Sequence, residues 1–235
     1  MGLPTPSPTT TAVVTGASSG IGADLARELA ARGHGVTLVA RREDRLRALA
    51  DELSSSNVRV EVVACDVADA DARAGLFPEI ERRGLTVDVL VNNAGIGTIG
   101  PVVDSTPEAE IGQVRVNVEA VIDLTTRAVQ QMVPRGRGAI LNVGSTAGFQ
   151  PFPGQSGYAA TKAFVRTYTD GLRGELPAPA SPSPRCIPGR CAPSSSTPRG
   201  WTSARSPRRS RSSCGSNRAR SRRRASTDWP PTAAA

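Results

Sequence analysis

The sequence predicts an α/β domain built on a doubly wound parallel sheet, followed by a tail of a different kind. Three observations predict it. Short apolar runs alternate with amphipathic segments up to residue 176. A Gly-rich turn joins the first run to the first amphipathic segment. The composition changes abruptly at Pro177.

Residues 12–15 read as the first strand, and the turn Gly16 to Gly22 leads into a helix that runs to Arg32. Gly33 and Gly35 stop that helix. Residues 36–40 are almost wholly apolar, the pattern of a strand buried on both faces. Residues 43–53 place Leu and Ala at helical spacing among charges. Residues 58–64 and 87–91 read as the third and fourth strands. One long helical pattern covers 107–132, with Pro107 at its start, where proline is tolerated. Residues 139–143 read as the fifth strand and 156–176 as the last helix.

The 235 residues suffice for one domain, or one domain with a tail. No apolar run approaches the length of a membrane span. Residues 1–11 lack the basic and apolar stretches of a signal peptide and read as an N-terminal extension. Pro6 stands where a myristoylation signal needs Ser or Thr. Four Cys, unevenly placed, do not make a disulfide framework. The expected location is the cytoplasm.

The net charge of +8 divides unequally. Residues 1–176 carry 17 basic and 20 acidic side chains, whereas 177–235 carry 12 Arg and a single acid, Asp228. The tail also holds 10 of the 19 Pro and 13 Ser, with Ile187 its only Ile, Leu, Val or Phe. Such a segment buries too little apolar surface to offset its chain entropy, and disorder is expected. Cys186 and Cys191 have no His near them, and no metal site is expected.

The stretch Thr15-Gly16-Ala17-Ser18-Ser19-Gly20-Ile21-Gly22 sits between a strand and a helix. Glycines there allow a tight turn and close approach to a pyrophosphate, and the helix N-terminus presents free N–H groups. Tyr158 and Lys162 stand four apart on one helix face, and Lys162 is the only Lys among 29 basic residues. A phenol with a pKa of about 10 is a poor acid–base group at neutral pH, and a neighbouring ammonium favours its phenolate. Residues 36–40 end without the acid that binds a ribose 2′-hydroxyl. Arg41 follows and suits a 2′-phosphate, so NADP is expected over NAD, with Arg42 facing solvent.

These motifs resemble the short-chain dehydrogenase/reductase family over residues 10–176. Its marks stand in order: Gly16, Gly20 and Gly22; Cys65-Asp66-Val67; Asn92-Asn93-Ala94-Gly95; Asn117; Ser145; and Tyr158-Ala159-Ala160-Thr161-Lys162. The resemblance implies a Rossmann-like, NAD(P)-dependent oxidoreductase acting on a carbonyl or alcohol. Tyr158 would be the acid/base, and Lys162 would also contact the nicotinamide ribose. Ser145 would hold the substrate oxygen, and Asn117 a water linked to Lys162. Ser18, Ser19, Ile21, Asp66, Val67, Asn93, Ala94 and Gly95 would line the cofactor. Phe149 and Phe152 would flank an apolar substrate. An intact form would pair with itself through the helices at 107–132 and 156–176.

The family continues into a sixth strand, a Pro-Gly turn, a lid and a seventh strand, and none is legible after Leu176. Joining the last base of each codon to the first two of the next changes this. Residues 180–184 can then read Gly-Val-Thr-Val-Thr, and 185–195 Ala-Leu-His-Pro-Gly-Pro-Val-Arg-Thr-Glu-Phe. The pattern points to a one-base slip near Leu176 or Pro177. The alternative expectation is a cofactor-binding but catalytically inactive remnant. An Arg-rich tail binding nucleic acid non-specifically is the least favoured reading.

Overall fold

The structure, a computed structural model, describes residues 3–176. The expectations for the tail lie outside those residues. Five strands form one fully parallel sheet in the order β3-β2-β1-β4-β5: β1 (Thr10–Thr15), β2 (Gly35–Ala40), β3 (Val60–Ala64), β4 (Thr86–Asn92) and β5 (Ala139–Asn142). Parallel neighbours need crossovers, and helices supply them. They are α1 (Gly20–Ala31), α2 (Glu43–Leu53), α3 (Ala70–Arg82), α4 (Pro107–Val114), α5 (Ala120–Met132) and α6 (Ser156–Glu175).

Strand alternation sorts the core into two layers. Val13 and Leu90 pack with Leu76, Phe77 and Leu124 on the face covered by α3 and α5. Their neighbours Val14 and Val91 pack with Leu29, Leu46 and Leu49 on the face covered by α1 and α2. The central strands β1, β2 and β4 are buried along nearly their whole length. That burial is why their sequences read as unbroken apolar runs.

Four elements differ from the sequence reading. β1 begins at Thr10, because Thr11 is buried and its hydroxyl meets that of Thr37 at 2.9 Å. Part of the expected N-terminal extension therefore belongs to the sheet. β3 begins at Val60, two residues later than expected. α3 was not expected. It is capped by Asp69, whose side chain accepts from the Ala72 N–H at 2.8 Å, and it carries Pro78 inside. The long helix expected over 107–132 is interrupted by a π-helical turn, Arg115–Glu119, between α4 and α5. Cys65 behaves as the small buried residue expected. Burial, with Asp66 and Asp69 nearby, pushes its thiol up to about 11, so it stays protonated and inert.

Candidate active site

The C-terminal ends of β1, β4 and β5 and the first turns of α1 and α6 converge on one side of the sheet. Open parallel sheets bind ligands at such strand ends. Gly16 and Gly20 adopt φ +68° and +55°, which favour glycine. Gly22 has another reason: a Cβ there would lie 2.4 Å from both Gly16 O and Asn93 Nδ2. The turn is thus folded onto the segment after β4. Ser19 is the N-cap of α1 and makes no side-chain cap bond. The helix end is left open to an anion, and the residues fit a dinucleotide pyrophosphate.

Thr15 ties that turn to the β4 loop. Its hydroxyl donates to Val91 O at 3.2 Å and accepts from the N–H groups of Asn93 and Ala94 at 3.0 and 3.1 Å. The Asn93 amide donates to Thr15 O at 2.9 Å. Ile21 faces outward on the first turn of α1, 63% exposed.

The arginine pair after β2 corrects one expectation. Arg42 does not simply face solvent: its Nη2 donates to Ser18 Oγ at 2.9 Å and Ser19 Oγ at 3.0 Å. Arg41 reaches Asp66, 3.9 Å between Nη1 and Oδ2. Arg42 therefore stands beside the Gly-rich turn, whereas Arg41 is turned toward the loop after β3. Asp66 also accepts from the Ala68 N–H at 3.0 Å, which fixes the loop after β3. The Val67 side chain lies in the core, and its carbonyl is taken by Arg73 at 2.7 Å. Only the remaining backbone of Val67 could meet a cofactor.

Tyr158 and Lys162 lie where α6 passes the ends of β4 and β5. Lys162 is 6% exposed, and its Nζ donates to Val143 O at 2.8 Å. Nζ stands 5.8 Å from the centroid of the Tyr158 ring. A Cβ on Gly95 would lie 3.5 Å from Lys162 Nζ and 3.3 Å from Asn117 Oδ1, so only glycine leaves that corner open. Burial lowers the pKa of the Lys162 ammonium below its ordinary value. A Cβ on Gly97 would sit 2.9 Å from Tyr158 Cδ2, which shows how tightly the loop after β4 braces the ring. Gly148 does the same below: its Cβ would lie 2.7 Å from the Lys162 carbonyl.

Asn117 occupies the π-helical turn and is 1% exposed. Its Oδ1 accepts from Ile96 N at 2.9 Å, and its Nδ2 donates to Ile96 O at 2.8 Å and Thr161 Oγ1 at 2.9 Å. The side chain is thus fully engaged as a clamp between the β4 loop and α6. Ser145 caps the short 3₁₀ turn Thr146–Phe149, accepting from Ala147 N at 3.2 Å. Within the described residues no hydrogen bond joins Ser145 to Tyr158. Tyr168 stacks on Phe164, centroids 5.5 Å apart, and is a packing residue. Among the described residues no cluster suited to a metal ion occurs.

Sequence reasoning missed Thr161, Thr15 and Gly148. Thr161 was readable only as part of a helix, since its role comes from the distant Asn117. Arg42 could not be told from Arg41 without the loop that brings it over Ser18.

A model of the short chain dehydrogenase family matches residues 10–179. A short chain dehydrogenase of Pseudocercospora fijiensis is 37% identical over 168 residues, 71% of this chain and 54% of that protein. The NADP-dependent 3-hydroxy acid dehydrogenase of Salmonella typhimurium is 37% identical over 165 residues, 70% of this chain and 65% of that one. The crystal structure of a metagenomic short-chain oxidoreductase in complex with NADP superposes with a TM-score of 0.68 at 35% identity, covering 71% of this chain and 76% of that one. The chain thus spans between about half and two thirds of the length of these two curated relatives.

Proposed function

This chain belongs to the short-chain dehydrogenase family, and on that premise we propose that it is an NADP-dependent oxidoreductase acting on a carbonyl/alcohol pair with Tyr158 as acid/base. The observation that carries the reading is the buried Lys162 ammonium, 5.8 Å from the Tyr158 ring and against the open corner at Gly95. When bound, the nicotinamide supplies or takes the hydride. The chain's own residues do the rest. The turn from Gly16 to Gly22 and the open end of α1 hold the pyrophosphate. Arg41 and Arg42, with Ser18 and Ser19, receive a 2′-phosphate, which favours NADP over NAD. Asp66 and the backbone of Val67 border the adenine, and Asn93, Ala94 and Gly95 line the inner wall.

In the reducing direction the Tyr158 hydroxyl delivers a proton to the substrate oxygen. The Lys162 ammonium stabilises the phenolate that remains. Ser145 donates its hydroxyl to the same substrate oxygen while its Oγ continues to accept from Ala147 N. Asn117 fixes the loop and α6 in register, and its π-turn leaves backbone groups free to hold a water beside Lys162. Phe149 and Phe152, 69% and 43% exposed, suit an apolar substrate. The Salmonella relative is named as NADP-dependent and the metagenomic one was crystallised with NADP, which supports the cofactor. The reading places the protein in the cytoplasm, with neither nucleic acid nor membrane as partner. No helix among the described residues is long and apolar enough to cross a membrane. Two copies of an intact form would pair along α4 and α6, where Ile111 and Val114 face outward.

A second reading, a cofactor-binding remnant without activity, is favoured by one observation: the outer edge of β5 has no neighbouring strand among the described residues.

Fluorescence titration with NADPH and NADH, followed by a panel of carbonyl compounds, tests both. NADPH should bind more tightly, and Arg42→Ala should weaken NADPH alone by about tenfold or more, the worth of one charge-assisted bond. Lys162→Met should cut turnover by roughly a hundredfold or more. It should not lower the melting temperature at neutral pH, because it removes a buried charge. Equal affinity for both cofactors would refute the phosphate site. Binding without turnover of any carbonyl would leave the remnant.

A further inference from the structure

The sheet ends at β5, and the described residues leave its outer edge unpaired. None of Ala139, Ile140, Leu141 and Asn142 is charged, and Leu141 is 45% exposed. An uncharged free edge is an invitation to pair. The chain itself is delivered to that edge. α6 follows β5 as a crossover helix, tied to it by the bond from Asn142 Nδ2 to Thr169 Oγ1 at 3.0 Å, and it ends at Glu175. A right-handed crossover would set the next parallel strand beside β5. The written sequence there has Pro at 177, 179, 182, 184 and 188. Proline has no N–H to give a ladder and is excluded from a strand interior.

We propose that the gene has lost one base between the codons for Leu176 and Ala180, and that the frame one base back encodes the strand that fills the β5 edge. After such a loss, each original codon is the last base of one written codon plus the first two of the next. The written residues then constrain the original ones tightly. A Pro codon becomes Thr, Pro, Ala or Ser, all small. A Ser codon of the four-fold set becomes Ile, Leu, Val or Phe, all apolar. Cys becomes Met, Leu or Val, and Ile becomes His or Tyr.

With four-fold codons at both Ser positions, the run Ser181-Pro182-Ser183-Pro184 encodes apolar-small-apolar-small. That is the two-residue period of a strand with one face packed. Cys186-Ile187-Pro188-Gly189 then gives an apolar residue, His or Tyr, and a site where Pro-Gly can stand and end the strand. With four-fold codons at Ser181 and Ser183 the alternation follows from the written Ser-Pro alternation, and only the choice within each class is free. The frame also accounts for the tail's composition. A gene that writes one Lys among 29 basic residues draws on codons rich in G and C. Those codons read out of frame yield Arg, Pro, Ala and Ser.

The test compares the written chain with one made after a base is restored ahead of codon 180. Neither readout needs cofactor or turnover, so failure of the enzymatic reading leaves the comparison intact. Hydrogen exchange at the β5 amides should slow by roughly a hundredfold or more in the restored chain, as edge amides enter a ladder. Its melting temperature should rise, and it should stay in solution where the written chain associates. Unchanged exchange at β5, restored chains that associate through β5, or a restored chain no more stable than the written one would each overturn the proposal.

Discussion

At β3 the sheet ends among charges, whereas at β5 it ends on a short run without any. Glu61, in the middle of β3, accepts from Arg83 at 2.7 Å and from Arg59 at 2.8 Å, and Arg83 also caps Val62 O at 3.1 Å. Charged side chains laid over an edge keep other strands away. Leu141 at the other edge offers no such barrier. Two edges of one sheet, with the same parallel geometry, are thus prepared for different neighbours: water at β3 and another strand at β5.

The largest effect that would break this contrast comes from Leu141→Lys. In the written chain it should reduce self-association, because it gives β5 the guard that β3 already has. In the chain with the restored frame it should destabilise by ~2–4 kcal/mol, because it would bury an unpaired ammonium. Sedimentation and denaturant melts of both chains check the reversal of sign, and the same sign in both would end the contrast.

Removing the guard at β3 is the next test. Arg83→Ala strips Glu61 and Glu79 of a partner at positions 20–30% exposed. After discounting for solvent screening, the loss should be about 1–2 kcal/mol by urea denaturation. The variant also reports on pH. Burial pushes the Glu61 carboxyl up, but the bonds from Arg83 and Arg59 outweigh it and hold the pKa below its ordinary value. A depressed carboxyl contributes stability above its unfolded pKa, and that stability is lost as pH falls through the folded value. Stability from Glu61 should therefore fade below about pH 4.3 in the parent, whereas Arg83→Ala should show a smaller acid slope. The smallest effect is expected for Arg59→Ala. Its more exposed pairing with Glu61 should be worth under about 1 kcal/mol, and double-mutant cycles with Glu61→Gln would measure it.

Much of this was legible in the sequence. The five strands and the Gly-rich turn could be read because buried parallel strands and positive-φ turns leave strong local marks. Tyr158 and Lys162 could be read because four-residue spacing on a helix brings side chains together. α3 was hidden because its segment mixes Ala and Asp with an internal Pro78, and its stability comes from Leu76, Phe77 and Ile80 in the core. The Asp69 cap was the available signal. The π-turn left no mark on the 107–132 pattern, since it exists to bring Asn117 to Ile96 from far along the chain. The bonds from Arg42 to Ser18 and Ser19 left no mark in the sequence, because adjacent residues on a loop have no fixed periodicity.

One hydroxyl described above has a mechanical meaning. Thr15 Oγ1 grips Val91, Asn93 and Ala94 at once, from the strand that launches the Gly-rich turn. It works as a rivet through two plates, one carrying the dinucleotide cradle and the other the loop that presses on Tyr158. Displacement of either plate is passed to the other without a hinge between them. A side chain that never touches substrate would thus set how faithfully a filled cradle is felt at the phenol.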